Sequence, residues 1–139
     1  MRQAGCVFCD IVAGERPAHV VLDDDAAMAF LDARPVFPGH CLLIPRDHYE
    51  TLADLPPDLV GHLFLRAQRL AVAIEEAMEA DGTFVAMNNR ISQSVPHAHV
   101  HVVPRRRKDG LRGFFWPRQK YESDEGMAAV ANRIRRALD

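Results

Sequence analysis

The apolar and polar positions divide the chain into short elements of changing period. Residues 6–13 predict a short helix closed by Gly14, since glycine takes the left-handed helix-ending conformation without steric cost. Val20-Val21-Leu22 and the apolar run at 27–31 flank Asp23-Asp24-Asp25 and predict a hairpin. A Pro- and Gly-bearing loop at 35–39 leads into Cys41-Leu42-Leu43-Ile44, a central strand stopped by Pro45. From Pro56-Pro57 the period becomes helical. Leu59, Leu63, Ala67, Leu70, Ile74 and Met78 predict one long helix, with Gly82 as terminator. Residues 84–87 predict a further strand, 88–93 a polar loop, and 97–103 a strictly alternating strand. Met127, Val130, Ile134 and Leu138 predict a last amphipathic helix, with Arg133, Arg135 and Arg136 near its negative dipole end. Five short strands with short connections favour an α+β fold. Its expected form is a mainly antiparallel five-stranded sheet with one long helix and shorter flanking ones.

Length and composition narrow the class. The 139 residues suit a single domain spanning 1–139, and 48% hydrophobic with 26% charged residues suits a soluble globular chain. A net charge of -2 does not suggest a nucleic-acid-binding surface, and the basic run Arg105-Arg106-Arg107-Lys108 is short enough to be a solvated turn. No segment has the length of a membrane span or the pattern of a secretory signal. Three cysteines argue against a disulfide framework, so a reducing, cytoplasmic compartment is expected.

The chemistry concentrates in His97-Ala98-His99-Val100-His101-Val102-Val103. On a strand, His97, His99 and His101 share one face, while Ala98, Val100 and Val102 share the other and pack under the long helix. Three imidazoles on one face do not make an apolar core. They suit a metal site or phosphoryl transfer. A neutral imidazole is a good nucleophile near pH 7, and a neighbouring one donates hydrogen bonds to oxygens that gain charge. One metal shared by all three is awkward, because alternate strand residues lie about 6.5–7 Å apart and zinc ligands lie at about 2 Å. Cys6 and Cys9 have metal-ligand spacing, but alone they are half a tetrahedral site; the alternative is two reduced thiols packed under a short helix.

The segment Gln93-Ser94-Val95-Pro96-His97-Ala98-His99-Val100-His101-Val102-Val103-Pro104 resembles the signature of the histidine triad (HIT) family. Residues Cys6 to Glu15, Phe30-Leu31-Asp32, and Pro38 to His48 are similar, in order, to the start and middle of bacterial members. This resemblance implies that His99 is the nucleophile that takes a nucleotidyl group. It implies that His101 and His40 contact phosphate, with Gln93 and Ser94 before the triad and either Asn88 or Asn89 as a further contact. It places Asp32 on the ribose hydroxyls. In zinc-bearing members the matching ligands are Cys6, Cys9, His48 and His97, a structural Zn2+ site, and no catalytic metal is required. A purine nucleotide substrate and a homodimer are also implied; from the charge and the lack of a membrane span, no nucleic-acid or membrane partner is expected.

His101 stands where related transferases and phosphorylases often carry Gln, which favours a nucleotide hydrolase. Its bond would be a phosphoanhydride or phosphoramidate at the α-phosphate. The alternatives are a nucleotidyl transferase or phosphorylase, a nucleotide-binding regulatory protein, and a zinc-storage or scaffold protein. The chain departs from the family pattern in a shorter loop at 88–93, which lacks the glycine that commonly precedes Gln-Ser-Val, and in Pro96. His19, His62 and Cys41 are read as ordinary packing or surface residues. Phe114-Phe115-Trp116-Pro117 is expected to dock the C-terminal segment.

Overall fold

The computed structural model describes residues 1–111 and 118–139; the Phe114-Phe115-Trp116-Pro117 run lies outside the described residues. The chain divides into two compact units, Met1–Asp109 and Gly110–Asp139.

In the larger unit, helix α1 (Val7–Val12) precedes the hairpin β1 (Val20–Asp23) and β2 (Ala27–Leu31). Strand β3 (Cys41–Pro45), a short 3-10 turn at Leu52–Asp54, helix α2 (Pro57–Ala77), and strands β4 (Gly82–Ala86) and β5 (Val100–Arg105) follow. The sheet order is β1-β2-β3-β5-β4, and every neighbouring pair is antiparallel. The expected α+β class and five-stranded sheet are therefore present. In the smaller unit, α3 (Asp124–Leu138) is capped by Ser123, whose hydroxyl accepts from the Gly126 N–H.

Side-chain alternation gives the sheet two buried faces. Ala27, Ala29, Cys41, Leu43, Val100 and Val102 pack with Leu63, Ala67, Leu70 and Ile74 of α2. Met28, Phe30, Leu42 and Ile44 pack with Cys6, Phe8 and Cys9 around α1. Leu42 is in register with both Phe30 and His101, so the histidine lies on the α1 face. Burial on both faces is why β2 and β3 read as unbroken apolar runs.

Three boundaries differ from expectation. Gly82 opens β4 rather than ending α2. The helix instead ends at Ala77, and Glu79 just beyond it has φ 50°, with Glu79 N–H donating to Glu76 O and Ala80 N–H to Glu75 O. That hydrogen-bond pair satisfies the last carbonyls in the way usually left to glycine. Strand β4 consequently starts two residues before the expected 84. The strand expected over 97–103 starts only at Val100. Pro96 brings no N–H, the His97 N–H turns to Val95 O, and the Ala98 N–H donates to Tyr49 O, so this backbone is committed before the ladder begins.

Candidate functional site

The histidines converge because three segments end on the α1 face of the sheet. His101 stands in β5, His99 just before it, and His97 where the loop joins. His40 directly precedes β3 and is 3% exposed. Gly39 before it has φ +99°, and a Cβ there would lie 2.7 Å from Cγ of Met78. A close backbone approach thus sets where His40 enters the sheet.

Hydrogen bonds to groups of fixed polarity assign the protons on these rings. The Nδ1 atom of His99 lies 2.8 Å from the His97 carbonyl, which only accepts; Nδ1 therefore carries hydrogen and Nε2 holds the lone pair. The Val36 N–H donates to Nδ1 of His40 at 3.1 Å, so in the neutral ring Nε2 carries the hydrogen and donates to Nδ1 of His101 at 3.0 Å. His101 is left with Nε2–H as its outward donor. Burial pushes the His101 pKa down to about 4, with His99 and His40 adding to the effect and Asp32 opposing it. His40 and His99 are lowered too, again chiefly by burial. All three are neutral near pH 7. The result is a lone pair on His99 Nε2 beside an N–H on His101 Nε2, with the two ring centroids 5.0 Å apart.

The Asp32 carboxylate lies 3.7 Å from Nε2 of His40, and its Oδ1 accepts from the Arg34 N–H at 2.9 Å. Asp32, His40 and His101 are close enough to suggest a metal cluster. However, His40 Nε2 carries hydrogen and Nδ1 is taken by Val36, so this ring offers no lone pair to a metal.

The second cluster, Cys6, Cys9, His48 and His97, is different. Nε2 of His97 lies 2.9 Å from Pro45 O and must donate to it, so Nδ1 holds a lone pair. That lone pair faces Sγ of Cys6 at 3.4 Å and Sγ of Cys9 at 3.6 Å, while Nδ1 of His48 lies 3.4 Å from Cys9 Sγ. The Gln3 and Cys9 N–H groups donate to Sγ of Cys9 and of Cys6, at 3.3 and 3.4 Å. Two sulfurs and two imidazole nitrogens, with N–H donors behind the sulfurs, suit a tetrahedral borderline-soft ion such as Zn2+. These four residues would hold it without an open position, so its contribution would be to hold segments together.

The other expected contacts are placed less simply. Both ends of the Gln93 amide have protein partners: Oε1 accepts from the Arg90 N–H and Nε2 donates to Glu50 O. Asn89 Oδ1 accepts from the Leu52 N–H. Ser94 and Asn88 are exposed. His19 and His62 are exposed as well, and Cys41 is buried, where burial raises its thiol pKa to about 11. Sequence reasoning missed Val36, Phe8 and Pro45. Val36 and Pro45 act through backbone atoms that carry no side-chain signature. Phe8 did carry one, an aromatic placed between the two cysteines.

Comparison with known proteins agrees with this geometry. The family profile described as "HIT domain" matches residues 13–108. The adenosine 5'-monophosphoramidase of Saccharomyces cerevisiae is 37% identical over 125 residues, which is 88% of this chain and 76% of that protein. An adenylylsulfatase of Arabidopsis thaliana is 36% identical over 111 residues, covering 78% of this chain and 56% of that one. A Zn-bound histidine triad family protein from Mycobacterium smegmatis superimposes with a TM-score of 0.74 at 39% identity, covering 93% of this chain and 95% of its own.

Proposed function

Because this chain belongs to the histidine triad (HIT) family, we propose that it is a nucleotide hydrolase that breaks the bond between an α-phosphate and its leaving group. The observation that carries this reading is the tautomer of His99, whose Nδ1–H is held by the His97 carbonyl and whose Nε2 lone pair is free to attack. In the first step Nε2 forms a bond to the α-phosphorus, and the bond to the leaving group breaks. The His101 Nε2–H donates a hydrogen bond to the departing atom and stabilises the charge it gains, and the leaving group takes its proton from water. In the second step water attacks the phosphorus of the nucleotidyl-histidine, His99 departs with its Nε2 lone pair restored, and the water proton passes to solvent. The sum is nucleotide–X plus water giving nucleoside monophosphate plus HX. A phosphoramidate and an adenylyl sulfate, the substrates named in the two enzymatic relatives, both present this bond.

Asp32 would accept hydrogen bonds from the ribose hydroxyls, and Ser94 would meet the phosphate. Zn2+ on Cys6, Cys9, His48 and His97 would be structural. A pair of copies is supported by the open edge of β4, where Val85 is exposed, and by exposed Phe64, Leu65 and Val72 on α2, which packs on β4. Sedimentation should then give twice the chain mass, and Val72→Glu should lower it. Among the described residues no helix is long and apolar enough to cross a membrane, and a cytoplasmic enzyme fits the free cysteines Cys6, Cys9 and Cys41.

The deciding experiment is product analysis with a dinucleoside polyphosphate, an adenosine phosphoramidate and an adenylyl sulfate. Nucleoside monophosphate should appear from at least one, with the nucleotidyl group on His99 in a rapidly quenched sample. His99→Ala should bind nucleotide and not turn it over. Release of monophosphate by His99→Ala at the unmutated rate would overturn the assignment.

A further inference from the structure

Phe8 occupies the first turn of α1 between the two cysteines and is 5% exposed. Its ring meets His99 nearly at right angles, with centroids 5.1 Å apart at 85°, and meets His97 at 5.8 Å and 72°. Phe30 closes the far side of Phe8 at 5.5 Å. His99 therefore touches two rings, Phe8 and His101, and is held at one atom by the His97 carbonyl. One hydrogen bond at Nδ1 fixes a point but leaves the ring plane free to tilt. The flanking rings supply the missing restraint. The turn that carries Phe8 is itself organised by sulfur: Cys6 caps α1 through its Sγ, which accepts the Cys9 N–H, and both sulfurs face His97.

We propose that Phe8 is a positioning residue for His99, tying the orientation of the attacking ring to the order of the Cys6–Cys9 turn. This rests on His99 being the nucleophile. Cys6 and Cys9 anchor the turn from outside, Phe8 transmits its position, and His97 belongs to both halves, with its ring in the sulfur cluster and its carbonyl on His99. Displacing a reacting group by about 1 Å costs on the order of a hundred-fold in rate, so a loosened ring plane lowers kcat while substrate binding persists.

The test is Phe8→Leu in the metal-loaded full chain, compared with Ile44→Val, which removes volume from the same cluster. Phe8→Leu should keep the metal content and KM of the unmutated protein and lose at least about ten-fold in kcat. Long-range proton–nitrogen spectra of the His99 ring should change from one Nδ1–H tautomer to a mixture. Ile44→Val should lower only the melting temperature. Should Phe8→Leu fail to fold, Phe8→Met, with a volume nearer to Phe, takes its place. In the unmutated protein, nuclear Overhauser contacts between the Phe8 and His99 rings are required, and their absence overturns the proposal. So does a folded, metal-bound Phe8 variant with unchanged kcat and a single His99 tautomer. If the unmutated protein turns over none of the nucleotides, the hydrolase reading fails. The spectra still decide whether Phe8 orders His99.

Discussion

His40 donates from Nε2 to Nδ1 of His101 at 3.0 Å, and the Val36 N–H at its other nitrogen makes that direction the one available to the neutral ring. The bond fixes the His101 tautomer with Nε2–H outward. His40 thus has partners for both nitrogens inside the protein, which suits an indirect role better than the phosphate contact expected from the sequence. His40→Gln should lower kcat about a hundred-fold, the scale of one oriented hydrogen-bond donor to developing charge, and move KM little. A rise in KM with kcat unchanged would place His40 on the phosphate instead.

The buried histidines also set the pH response. His101 titrates at about 4 in the folded chain, against about 6.5 in an unfolded one. Between those values the unfolded chain binds the extra proton, so stability rises with pH across this window and is fully present above about 6.5. Melting temperatures should fall on acidification from pH 6.5 toward 4. The kcat/KM profile should keep its alkaline-side plateau down to below 6.5, because His99 is also lowered. A plateau that breaks above pH 7 would mean that His99 is not held neutral by burial.

The sulfur–imidazole cluster predicts a metal-dependent stability. A ligand present at a hundred-fold above its Kd stabilises the folded state by about 2.7 kcal/mol, on the order of 10 °C for a chain of this size. Chelation or Cys9→Ser should lower the melting temperature by about this amount. Elemental analysis of protein purified without added metal should find one zinc per chain. A metal-free protein of equal stability would leave Cys6 and Cys9 as packed thiols.

Asp32 predicts selectivity for ribose. A hydrogen bond to a charged partner contributes about 1.5–3 kcal/mol, or roughly ten- to a hundred-fold between ribo- and 2'-deoxyribonucleotides. Asp32→Ala should remove most of this preference. Equal kcat/KM on the two sugars in the unmutated protein would show that Asp32 does not read them. Its Oδ1 already accepts the Arg34 N–H, but a carboxylate has lone pairs to spare.

Ser92 has φ 60° and Arg90 φ 71°, both in the loop that lacks the expected glycine. The left-handed region costs a non-glycine residue about 1–2 kcal/mol, part of which is returned to glycine's freedom in the unfolded chain. Ser92→Gly should therefore stabilise the protein by up to about 1 kcal/mol, read as a higher urea midpoint at constant slope. A lower midpoint would mean that Ser92 contributes contacts worth more than its backbone strain.

The sequence by itself determined the features that depend on local period and side-chain chemistry. Burial on both faces made β2 and β3 continuous apolar runs, and the 3.6-residue repeat from Leu59 to Ile74 marked α2. The spacing of His97, His99 and His101 identified the chemical face, and the spacing of Cys6 and Cys9 marked half of a metal site. The tertiary structure decided what depends on long-range backbone contacts. The Ala98 N–H went to Tyr49 O, which delayed β5, and Glu79 took the left-handed position after α2 where the sequence offered Gly82. The proton positions on His40, His99 and His97 came from Val36 N–H, His97 O and Pro45 O. Backbone amides and carbonyls are the same at every residue, so only the fold could say which of them faces an imidazole.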